Sequence, residues 1–157
     1  MKASSTFVKM KGTEDTLHLS GNTILCPIDF SEPSLDALRW AAQLARQQQL
    51  HVTIIYPYRL NVLNRKEDLV QMKKNIDQDA ARNFEKIAKG LLEDAHVTYD
   101  FRSEVGFMND RVQEHVRKGN LSMVVLSKKM ALGSKDNLQE LIDHADVPLV
   151  IIPTHVN

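Results

Sequence analysis

The chain has 157 residues, carries 20 Lys and Arg against 20 Asp and Glu, and holds a single cysteine, Cys26. Such a length suits one domain that buries roughly two-thirds of its unfolded surface without a metal or disulfide staple, and one cysteine excludes an internal disulfide and fits a reducing compartment. Balanced charge excludes the footprint of a nucleic-acid or anionic-membrane binder; no apolar run nears the ~20 residues that cross a bilayer, and residues 1–10 lack the apolar core of a signal peptide. The expectation is a cytoplasmic protein with no nucleic acid and no membrane among its partners.

Residues 1–22 read as an N-terminal extension. Two short strand-like stretches, 6–10 and 16–19, flank a polar link at 11–15. A weak hairpin, an arm reaching a partner subunit and a loosely ordered tail all fit that pattern. The domain is expected over 23–153, with a tail at 154–157.

Residues 23–28 are apolar and partly β-branched without alternation, as in a strand covered on both faces. Asp29 follows at once, then Ser31 and Ser34 as N-cap oxygens with Pro33 in the first helical turn. Leu35, Leu38, Ala42 and Ala45 then recur at helical spacing. A second buried strand, 51–56, is expected to stop at Pro57. After a polar link at 61–65, Leu69, Met72, Ile76, Ala80, Phe84, Ile87 and Leu91 mark the strongest helix.

Residues 97–105 alternate and read as an edge strand ended by Gly106. A short helix is expected from an Asn109 cap to Gly119. Residues 121–126 form the most apolar strand, ending at Ser127. A loop at 128–133 leads to a Ser134 cap and a helix carrying Leu138, Leu141, Ile142 and Ala145, and the last strand runs from Val147 to Ile152 before Pro153. Strands alternating with helices, with crossovers of 10–30 residues, predict an α/β fold: an open five-stranded, largely parallel sheet with helices on both faces. In such sheets ligands sit outside the carboxyl ends of the strands, which is where Asp29 stands if its strand is central.

Ile24-Leu-Cys-Pro-Ile-Asp-Phe-Ser31 resembles the opening strand of the universal stress protein family, and Met123-Val-Val-Leu-Ser-Lys128 with Ala145-Asp-Val-Pro-Leu-Val-Ile-Ile-Pro153 resembles its last two strands. The resemblance implies a Rossmann-like sheet of the adenine nucleotide alpha hydrolase kind, strand order 3-2-1-4-5, and a homodimer through the last strand. It also implies a site. Family members that bind ATP follow the fourth strand with Gly, two residues, Gly, nine residues, then Gly and Ser or Thr, so that bare backbone and a helix N-terminus meet the triphosphate. Here Ser127 and Met130 occupy the first two glycine positions, and only two residues separate Met130 from the Gly133-Ser134 pair. The phosphate cradle is therefore expected to be absent.

Asp29 matches the family acid near the adenine and ribose, with Pro27 and Ile28 lining the base and Tyr56 or Pro57 contributing from the second strand. The alternative to nucleotide loss is a sensor for AMP or ATP that uses Asp29 and the Ser127–Ser134 loop, with Lys128 and Lys129 supplying charge in place of glycine amides. Each residue also has a plainer role. Asp29 can accept backbone N–H groups in its own turn, Ser134 can simply cap a helix, the lysines can be a solvated loop, and Cys26 can be a small core hydrophobe. The six histidines (18, 51, 96, 115, 144 and 155) form no metal-ligand spacing. No nucleophile elbow or P-loop is present, so no catalytic residue and no metal are expected. The sequence reading is a non-enzymatic stress-response module that needs no cofactor and works as a homodimer through protein association.

Overall fold

Strands and helices alternate along the chain in a computed structural model that describes residues 21–60, 67–133 and 137–154. The strands are β1 (Thr23–Pro27), β2 (His51–Tyr58), β3 (Tyr99–Val105), β4 (Leu121–Ser127) and β5 (Leu149–Ile152). They form one sheet, ordered β3-β2-β1-β4-β5, in which every neighbouring pair is parallel. The order is 3-2-1-4-5, as expected. Parallel neighbours need long crossovers, and α1 (Glu32–Gln48), α2 (Glu67–Ala88), α3 (Met108–Lys118), α4 (Lys128–Ala131) and α5 (Asn137–His144) supply them.

The unbroken apolar runs of β1 and β4 follow from their place in the middle, covered on both sides. One face carries Ile24, Cys26, Ile28, Val52, Ile54 and Val125, closed by the alanine-rich side of α1 and by Phe84 and Ala88 of α2. The other carries Leu25, Ile55, Val124 and Leu126, closed by Val112 of α3, Ala131 of α4 and Leu141 of α5. The helix α1 starts where the serines predict: Ser31 is its N-cap, its hydroxyl accepts the Ser34 N–H, and a proline lies in the first turn.

Four details depart from the sequence reading. Pro57 does not stop β2, which continues to Tyr58. Val52 donates to Thr98, just before β3, and Ile55 accepts from Ile28, just after β1, so odd-numbered residues of β2 direct their backbone toward β1. The missing N–H of Pro57 therefore faces β1, whose pairing ends at Ile55, and no ladder bond is lost. The cap of α3 is Phe107 rather than Asn109, which lies buried inside the first turn. Residues 128–131 are a helical turn rather than a loop. Finally, β5 begins at Leu149, two residues after Val147. Ser134, the short stretches at 6–10 and 16–19 and the link at 61–65 lie outside the described residues. No helix among the described residues is long and apolar enough to cross a membrane.

Candidate functional site

The strand order reverses direction at β1, which lies between β2 and β4. Beyond Leu25, paired with Val124, the ladder between β1 and β4 stops. Pro27 is the next residue of β1 whose backbone faces β4, so its missing donor again costs nothing. The mouth between the carboxyl ends of these two strands is the position at which open α/β sheets place ligands.

Asp29 stands at this mouth, exposed, and is bound into its own turn. Its Oδ1 accepts the Ser31 N–H at 3.0 Å and the Ser31 hydroxyl. Its own N–H donates to Ser34 Oγ at 3.1 Å, and Ser34 Oγ donates to Ser31 O at 3.0 Å. Partial burial pushes the carboxyl up. The Ser31 hydroxyl and amide, then Ser34 and the charge of Lys129, outweigh that and hold it below the ordinary aspartate value. The acid is thus an anion that pre-forms the strand-to-helix corner. The two bonds from Ser31 both fall on Oδ1.

Phe30 follows with φ 65, a left-handed backbone that disfavours a bulky side chain. That turn directs its ring onto Tyr56 in an edge contact at 5.2 Å and toward Phe101 at 6.3 Å. Phe101 in turn stacks on Phe84 at 4.3 Å, with planes 10° apart. Rings from β2, β3 and α2 are thus joined to Phe30, the residue directly after Asp29. Sequence reasoning did not assign Phe30 to the site. The signal was its position directly after Asp29.

Across the mouth, β4 passes without a loop into α4. Ser127 is completely buried and caps this helix, its Oγ accepting the Met130 N–H at 3.1 Å. The Leu132 N–H donates to Lys128 O and the Gly133 N–H to Met130 O. A side chain at Gly133 would approach Met130 O to 3.3 Å and Lys129 O to 3.4 Å, so glycine here lets the chain fold tightly against its own helical carbonyls. Lys128 and Lys129 are exposed, Met130 is half-buried, and Ile28 is fully buried in the core. Tyr56 and Pro57 are half-buried at the end of β2. The fold thus brings Pro27, Asp29, Tyr56, Pro57, Ser127 and Lys129 to one edge of the sheet. Among the described residues, no three or more His, Cys, Asp or Glu side chains are grouped to hold a metal.

Over residues 21–153 the chain matches the model of the universal stress protein family, and it belongs to that family. No curated protein matches it in sequence. Among solved structures it is similar to the universal stress protein UspA from Lactobacillus plantarum, with 15% identity and a TM-score of 0.67, over 87% of this chain and 99% of that one. It is also similar to a universal stress protein solved in complex with cAMP, with 16% identity and a TM-score of 0.60, over 87% and 99% of the two chains. A third, from Archaeoglobus fulgidus in complex with dAMP, shares 14% identity with a TM-score of 0.58, over 86% and 99%. At these identities the likeness is one of fold.

Proposed function

We propose that this universal stress protein has given up tight ATP binding and acts as a non-enzymatic homodimeric module through protein association. The observation that carries the reading is the junction of β4 with α4. Where a triphosphate needs bare backbone and free amides, the chain turns helical at once, the Met130 N–H is taken by Ser127, and a thioether side chain stands in the second glycine position. The crevice mouth keeps an anionic Asp29, which disfavours further negative charge on that side. The residues present do not fit a metal-bound triphosphate. Native mass spectrometry of gently purified protein tests this: the reading expects no ATP mass, and stoichiometric ATP overturns it.

The dimer is assigned to β5. It is an outer, wholly apolar strand whose Leu149, Val150 and Ile151 are all only partly covered, and an apolar edge left open invites a partner. The lone Cys26 is fully buried and burial pushes its thiol far up, so it suits a reducing cytoplasm as a structural residue.

A second reading is favoured by the exposed position of Asp29 at the carboxyl end of β1 and by two solved relatives, one in complex with cAMP and one with dAMP. In it the chain senses an adenine mononucleotide, which asks far less of the phosphate side, with Pro27, Asp29 and Pro57 around the base and Lys129, Gly133 and Ser134 near one phosphate. Asp29→Ala abolishes AMP binding under this reading and is silent under the first.

A further inference from the structure

The outer strand at the other end of the sheet, β3, ends in a cluster that neither reading uses. Thr98 accepts from Val52, and Gly106 donates to Tyr58 at 2.7 Å, so the even-numbered residues of this stretch face β2. In a parallel ladder the alternate residues then direct their N–H and C=O groups away from the sheet. For β3 these are Tyr99, Phe101, Ser103 and Val105. The strand runs for seven residues in unbroken register with β2 and contains no proline. An edge of that length without a bulge or proline is a template for another strand.

The charges along the strand are already engaged. Asp100 accepts from Thr53 and pairs with His51 at 2.7 Å and with Arg102 at 2.8 Å, and Glu104 pairs with His115 at 2.9 Å. At its end the charges make no ion pair among the described residues. Arg59 lies 4.5 Å above the ring of Phe107. The aliphatic stem of Arg111 lies against Gly106, which has φ 141, a conformation side chains rarely adopt. Neither Arg59 nor Arg111 has a carboxylate within ion-pair distance among the described residues. Beside them Phe107 is 54% and Val105 39% exposed. Two guanidiniums without an ion pair among the described residues, one over an exposed ring and one beside the neighbouring Gly106, match carboxylates flanking an apolar residue.

We infer that the outer edge of β3, unpaired among the described residues and with Arg59, Phe107 and Arg111 at its end, docks an extended acidic segment of a partner protein. The segment adds as a sixth strand through the outward backbone groups of β3. Its carboxylates meet the two arginines, and an apolar side chain covers Phe107. The inference extends the association reading by naming the surface and the chemistry of the partner. Titration with nucleotides tests that reading separately, and its outcome leaves the strand edge untouched.

The test uses the full chain and two dye-labelled extended peptides of alternating valine and charged residues around a central tryptophan, one with glutamates and one with lysines. Fluorescence anisotropy at low salt reads binding, and amide hydrogen exchange reads the site. The glutamate peptide binds at least about fivefold more tightly than the lysine one. Arg59→Glu, Arg111→Glu and Phe107→Ala each weaken it by about fivefold or more at unchanged melting temperature. The bound peptide slows exchange at Tyr99, Phe101, Ser103 and Val105. No binding, equal binding of both peptides, or protection confined to β5 overturns the inference. So does a self-association of the free chain that Arg59→Glu abolishes, because a second copy then owns this edge.

Discussion

The buried hydroxyl of Ser127 lies 3.1 Å from the backbone nitrogen of Met130 and caps the helix that replaces a glycine loop. One side chain thereby ends β4, starts α4 and uses an amide at the corner. Ser127→Ala removes the cap and leaves that N–H without a partner. An N-cap loss costs about 1 kcal/mol, which in a domain of this size lowers the melting temperature by ~2–4 °C. Calorimetric melting of the two proteins checks it, and equal melting points remove the cap from the account.

The ring column joined to Phe30 is the second test. Phe84 is 5% exposed and stacks on Phe101, which also meets Phe30. Phe84→Ala is expected to cost ~3–5 kcal/mol, the range for an aromatic removed from a packed core. Urea titration should show a lower midpoint at unchanged slope.

Acid stability has a defined direction. Burial pushes the Asp100 carboxyl up, but His51, Thr53 and Arg102 outweigh it and hold the group well below its ordinary value. A carboxyl that binds its proton more weakly folded than unfolded stabilises the fold fully above the unfolded value of ~3.9. That stabilisation is lost as pH falls below it toward the folded value. Asp100→Asn should therefore lower stability at neutral pH and flatten the loss below about pH 4. Urea unfolding at neutral pH and at two points below that value reads both effects, and an unchanged acid limb assigns the lability to other groups.

The dimer assignment has a clean probe in the backbone of β5. Val124 donates to Pro148 O, so even-numbered residues of this strand face β4 and Leu149 and Ile151 face outward. Ile151→Pro deletes an outward N–H while sparing the sheet's own ladder. Light scattering at micromolar concentration should give a dimer for the natural chain and a monomer for the variant. A monomeric natural chain ends the assignment.

Periodicity carried most of the architecture. The steps of three and four from Leu69 to Leu91 marked α2, although its close in a π-helical turn, Lys89–Glu93, has no periodic signature. The Asp29 corner was legible because an acid and two serines directly after an apolar run have few other uses. Pro57 misled because proline's effect on a strand depends on which neighbour its nitrogen faces, and that is a fact of the assembled sheet. The turn at 128–131 was hidden because four residues are too few to show a period, and only the bond from Met130 to Ser127 reveals it. The ring column draws on segments far apart in the chain, so no local pattern announces it. Family, fold and the departure from the glycine pattern were thus readable, whereas the helical turn after Ser127 and the ring contacts were not.

Isothermal titration of magnesium-ATP, with AMP alongside, into the natural chain and into Asp29→Ala tests the central claim most directly. The account predicts no ATP binding tighter than ~10 µM, the level at which about −7 kcal/mol of affinity would be evident, and no change on removing the acid. Saturable binding of ATP below that concentration, lost in Asp29→Ala, would contradict it.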